Sequence, residues 1–139
     1  MTRYLSFLLL VTVAGSIAQL RPKAPRVTGF FTNMRYDRDT GDVLGTEIWI
    51  VYARDRYWAT IQEAAGEPDP PVVVPLEVSG LSTVKFTTTQ HAVFGDGKPA
   101  PDTTTNYKGT VDKSGLLLST PDISGSTSRL LKRRNSFWQ

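Results

Sequence analysis

The chain contains no cysteine. That one absence excludes disulfide cross-links, cysteine nucleophiles, thiolate metal sites and thiol redox chemistry. It also excludes the lipid-bearing cysteine by which a bacterial lipoprotein is anchored. Histidine is almost as scarce: His91 stands alone, the only side chain whose ordinary pKa lies near neutrality. A histidine metal site needs three or four ligands and finds no second imidazole here. No serine stands in a Gly-x-Ser-x-Gly setting, so the nucleophile elbow of many hydrolases is missing. Long apolar runs are lacking too, since Leu5 to Ala14 is about half the roughly twenty residues a membrane-spanning helix needs. No segment sustains a helical period of apolar residues.

What is present begins with the N-terminus. Met1-Thr-Arg-Tyr is followed by the apolar stretch Leu5 to Ala14 and by Gly15-Ser-Ile-Ala18 before Gln19. A cationic start, a short apolar stretch and small residues at Ser16 and Ala18 have the form of a signal peptide, residues 1–18, cleaved after Ala18. Residues 19–26 then read as a basic, proline-containing arm and residues 27–139 as a single domain. An exported protein, periplasmic or secreted and soluble, is expected. Small eukaryotic secreted domains usually rely on disulfides, so a cysteine-free chain fits a bacterial protein better.

From Val27 onward, short aromatic and β-branched runs alternate with turn clusters. In Gly29 to Tyr36, Phe30, Thr32, Met34 and Tyr36 alternate with Phe31, Asn33 and Arg35, and the even face is assigned to the interior. Asp37 to Asp42 makes a turn, and Val43 to Tyr52 reads as a central strand with Ile48 and Ile50 on one face and Trp49 and Val51 on the other. Ala53-Arg-Asp-Arg56 reverses the chain into Tyr57 to Gln62. Val72 to Val78 follows, with Pro75 marking an edge, a bulge or a strand end. Val84, Phe86 and Thr88 face inward from the next strand, and His91 to Phe94 begins another. Asn106 to Val111 and Leu116 to Leu118 form a late hairpin, and Ser128 to Trp138 reads as a closing strand or a short helix, the strand being preferred because it abolishes a barrel's edges. Sequential strands joined by tight turns predict an all-β fold, a small antiparallel up-and-down meander barrel of about eight strands.

Gly29-Phe-Phe-Thr-Asn33 resembles the Gly-x-Trp-x-Asn opening of avidin-like barrels, with Phe31 at the tryptophan position. The late Arg129 resembles the arginine that lipocalin-like barrels pack beneath their first-strand tryptophan. The resemblance implies barrel topology and, for Arg129, a place under the first strand's aromatic ring; it implies neither biotin nor a lipid.

Candidate site residues follow from the aromatic content. Asn33, Trp49, Tyr52, Trp58 and His91 are the expected ligand-binding set, with Trp58 pointing away from its neighbour Tyr57 and lying beside Arg54 or Arg56. Arg129, Lys132, Arg133 and Arg134 form a candidate basic patch with the N-terminal Arg21, Lys23 and Arg26, suited to an anionic polymer or lipid surface if the termini meet. Nothing singles out nucleic acid. Asp37, Asp39 and Asp42 lack the ligand order of a calcium loop and read as a turn. No catalytic residue, metal or cofactor is assigned. The expected function is a non-enzymatic, monomeric barrel binding a small molecule or envelope component. The alternatives are an inhibitor or assembly factor acting through its surface or the Gly95 to Asp102 loop, and an enzyme using His91 or carboxylates such as Glu47, Glu63 and Glu77. The terminal Phe137-Trp-Gln139 is expected to dock on the barrel.

Overall fold

The computed structural model describes residues 26–91, 95, 97–120 and 128–139. The segment expected to be a signal peptide, and all of the expected basic arm except Arg26, lie outside them, as does most of the strand expected from His91. The elements are β1 (Gly29–Thr32), β2 (Arg35–Tyr36), β3 (Val43–Ala53), β4 (Arg56–Gly66), β5 (Val72–Ser79), β6 (Thr83–Gln90), β7 (Thr103–Val111), β8 (Gly115–Ser119) and β9 (Arg129–Arg133). From β3 to β9 each strand pairs antiparallel with the next, and β9 returns to β1 with Phe31 opposite Arg133, so the sheet closes on itself. Because β1 and β2 are successive parts of one edge along β3, the result is an eight-stranded antiparallel barrel. The closing strand expected near the C-terminus is β9.

Strand alternation then decides what fills the interior. Phe31, Ile48 and Ile61 stand abreast across β1, β3 and β4, as do Ile50, Ala59 and Val74 across β3, β4 and β5. Val111, Leu116 and Leu131 make a comparable row on the far wall, and every one of these side chains is buried. Burial of one such large apolar side chain contributes about 1.5–3 kcal/mol. The interior face of β1 is the odd one, contrary to the sequence expectation: Phe31 is fully buried, while Phe30 lies outside, stacked on Trp49 at 5.1 Å. Both faces of that segment carry a phenylalanine, so alternation alone could not choose between them; the register with Ile48 does. Thr32 and Met34 are nonetheless buried, and Tyr36 is exposed.

The β5–β6 ladder is, with the β1–β9 closure, one of the short seams of the wall. It holds only from Ser79 opposite Thr83 to Glu77 opposite Lys85, and stops two residues short of Pro75, which has no N–H to donate. Pro75 thus marks where a ladder ends rather than where the sheet does.

The two ends of the barrel differ. At one end lie the turns after β3, β5 and β7, the entry into β1 and the exit from β9. It is closed by Val27, which is fully buried in the core. The Arg133 guanidinium lies 4.7 Å from the centre of the Phe31 ring, and its Nη1 and Nη2 donate to the carbonyls of Thr28 and Arg26 at 2.6 and 3.3 Å. The place beneath the first-strand ring that the resemblance gave to Arg129 therefore belongs to Arg133, the β9 residue in register with Phe31. Gly115 completes the closure: a Cβ there would run into the Leu131 carbonyl, and its φ of 145° is one that other residues rarely adopt.

The C-terminal tail docks on the outer wall, as expected. Ser136 Oγ and the Phe137 N–H donate to the two carboxylate oxygens of Glu47, each at 2.7 Å, and Trp138 Nε1 donates to Gln62 Oε1 at 2.8 Å. This explains how Glu47 can be buried on an outward face, since a buried carboxylate needs such partners.

Candidate binding mouth

The opposite end, at the connections after β2, β4, β6 and β8, has a polar interior. Its geometry starts from Asn33, where β1 passes into β2. The Asn33 N–H donates to the Thr46 carbonyl at 3.1 Å, and its Oδ1 accepts from the Thr46 N–H at 2.7 Å, so the side chain replaces a missing ladder partner. Gly45 permits this bend, since a Cβ there would lie 2.8 Å from the Asn33 carbonyl oxygen and its φ is 122°.

Thr46 stands opposite Glu63 on the inner face. Glu63 Oε1 accepts from Arg129 Nη2 at 2.6 Å and from Thr46 Oγ1 at 3.4 Å. The pair is part-open to water, with 34% of the Arg129 side chain and 30% of the Glu63 side chain exposed. Arg129 also lies 5.9 Å from the centre of the Tyr107 ring, which stacks on Phe86. Burial, with the nearby Glu63 carboxylate adding to it, raises the Tyr107 phenol above its ordinary value of 10; Arg129 and Thr88 oppose that shift. The phenol therefore stays a hydrogen-bond donor at neutral pH.

Three hollows share Glu63 in their linings. One of about 470 Å³ runs beside Ile61, Val72, Thr88 and His91, one of about 310 Å³ beside Tyr107 and Leu118, and one of about 370 Å³ beside Asn33 and Thr46. These sizes suit a small organic molecule. A larger groove, about 770 Å³, follows the splayed β5–β6 ladder; charges of both signs, including Asp55, Glu77, Lys85 and Lys108, line it without converging.

Of the ligand-binding residues expected from the sequence, Asn33 and His91 lie at this mouth. His91 is on the rim, 80% exposed, with Nδ1 2.8 Å from Asp102 Oδ1. Trp49 is on the outer wall against Phe30. Trp58 does point outward beside Arg56, 5.7 Å from its ring, and donates from Nε1 to the Ala53 carbonyl. Tyr52 is at the closed end, edge-on to Tyr57. The expected basic patch is divided, because alternation along β9 turns Arg129 and Arg133 inward at opposite ends while Lys132 and Arg134 stay exposed outside. The three glutamates considered as an acid–base pair are also apart: Glu47 is under the tail, Glu63 is in the mouth and Glu77 faces Lys85. The acidic turn closes on itself, with Asp37 Oδ1 accepting from the Asp39 N–H. Among the described residues, no group of three His, Asp or Glu is placed to hold a metal ion.

Sequence reasoning did not single out Thr46, Thr88 or Tyr107 and gave Glu63 no binding role. A signal for Glu63 existed: the two-residue turn at Arg54-Asp55 sets the β3–β4 register, and counting back along it brings Glu63 opposite Thr46 on the face of Ile48 and Ile61. No protein-family model, curated protein or solved structure matches the chain.

Proposed function

We propose that this is an exported, non-enzymatic barrel that binds a small molecule at the mouth. The observation that carries the reading is the inward-facing, part-exposed Glu63–Arg129 pair, held at the meeting point of three hollows. A guanidinium, a carboxylate and a protonated phenol offer donors and an acceptor within one small space. Ile61 and Val72 beside them offer an apolar wall. A compact ligand with a hydrogen-bonding head and an apolar body fits that combination, because convergent polar groups give orientation and apolar contact gives affinity.

The test is native mass spectrometry of the protein isolated from its own source, compared with a denatured sample. The expected result is a discrete added mass, released on denaturation and lost in Glu63→Gln and Arg129→Gln variants that still fold. A bare mass, or an added mass retained by both variants, would overturn the reading. Function would then move to the outer wall, where Leu117 and Leu130 stand opposite one another and exposed.

A further inference from the structure

The balance of charge differs between the two ends of the barrel. Around the mouth, Asp37, Asp39, Asp42, Glu67, Asp69 and Asp102 outnumber Arg35, Arg38 and Lys98. At the closed end the balance reverses: among the described residues Arg26, Arg54, Arg56, Lys113, Lys132, Arg133 and Arg134 outnumber Asp55, Asp112 and Glu77, the last of which stands opposite Lys85. Asp112 is occupied by its own turn, its Oδ1 accepting from the Ser114 N–H and hydroxyl and from the Gly115 N–H. Among the described residues, no salt bridge neutralises Arg26, Arg54 or Arg134.

Apolar groups stand among these cations. Leu81, at the tip of the β5–β6 turn, is 52% exposed, and a hollow of about 510 Å³ joins it to Arg26, Lys113 and Arg133. Tyr52, 57% exposed, is at the same end. The underside of this surface is rigid, because Arg133 is fixed by the Phe31 ring and two carbonyls.

We infer that the closed end docks on an anionic phospholipid surface. Cations gathered at one end are drawn to the negative potential of such a bilayer, and the acidic rim is repelled, so the charge asymmetry also sets orientation. A leucine at a loop tip and a tyrosine exposed at the same end match the interfacial region, where an apolar group enters and an amphipathic ring rests at the headgroups. A water-soluble polyanion would use the cations alone and leave Leu81 in water. Docking in this orientation points the mouth away from the membrane. The inference does not depend on what the mouth binds.

The experiment is co-sedimentation of the full protein with vesicles of phosphatidylcholine, with and without about one-third phosphatidylglycerol, at about 0.1 and 0.5 M salt, with heparin binding measured in parallel. Binding is expected only to the anionic vesicles and should fall as salt rises. Arg26→Gln, Lys113→Gln and Arg134→Gln should each weaken it by roughly fivefold. Leu81→Ser should weaken vesicle binding and leave heparin binding unchanged, and Glu63→Gln should alter neither. Failure to bind anionic vesicles would overturn the inference. So would Leu81→Ser binding both targets like the parent, which would assign the basic end to a soluble polyanion.

Discussion

Arg133 and Arg129 lie four residues apart on one face of one strand, yet they serve opposite ends of the barrel. Arg133 lies on the Phe31 ring and donates to two backbone carbonyls, so it fastens the N-terminal entry across the closed end. Arg129 forms one short ion pair with Glu63 and keeps 34% of its side chain accessible. An up-and-down barrel has turns at both ends, so topology alone does not distinguish them. Neighbouring residues do: Val27 and Phe31 fill the space below one arginine, whereas Thr46, Thr88 and Tyr107 leave hollows around the other. One end is sealed by packed side chains and the other is left partly open.

The comparison breaks most severely at Phe31. Phe31→Ala removes a fully buried ring and the surface on which Arg133 rests, and the expected loss is about 3–5 kcal/mol in urea denaturation. Glu63→Gln, by contrast, should cost less than about 1 kcal/mol, since part-exposed ion pairs contribute little. If both changes destabilised the fold equally, the division of labour between the ends would be wrong.

A change on the wall between the ends sharpens the same contrast. Deleting Phe137 to Gln139 removes a charge-assisted bond to Glu47 and the Trp138–Gln62 bond, and should lower stability by about 2 kcal/mol. For a domain of this size that is a fall in Tm on the order of 8 °C. Glu47→Gln should add less in the truncated chain than in the full one, because the two changes remove a shared interaction. The added mass expected under the proposed function should not change.

How much of this was legible beforehand differs between the fold and the site. Barrel topology was legible, because period-two alternation and close turns leave a meander few alternatives. The inner side of the first strand was not, because Phe30 and Phe31 offer an aromatic to either face and only pairing with β3 breaks the tie. The mouth was less legible still. Glu63 and Arg129 are 66 residues apart, and nothing local marks them as partners. Their meeting follows from the β3–β4 register together with closure of β9 onto β1, a global property of the sheet. Aromatic content did not point to the mouth for a related reason: a closed barrel this small has room inside for few large rings, so Trp49, Trp58 and Trp138 all lie outside.

The smallest expected effect concerns the turn that sets that register. Elsewhere the chain gives positive φ to glycines such as Gly41 and Gly80, but the β3–β4 hairpin gives it to Arg54 and Asp55, at 52° and 62°. A two-residue turn of this kind favours glycine at its second position, although aspartate tolerates the conformation better than most residues. Asp55→Gly should therefore raise stability by only about 0.5 kcal/mol, measured by thermal denaturation. It also removes an anion from the basic end, so binding to anionic vesicles should tighten by roughly fivefold. Stability rising without tighter vesicle binding would mean that this turn is only a structural hinge of the barrel. Both rising together would show that the charge of this hairpin acts at the closed end, on the side of the barrel opposite the Glu63–Arg129 pair.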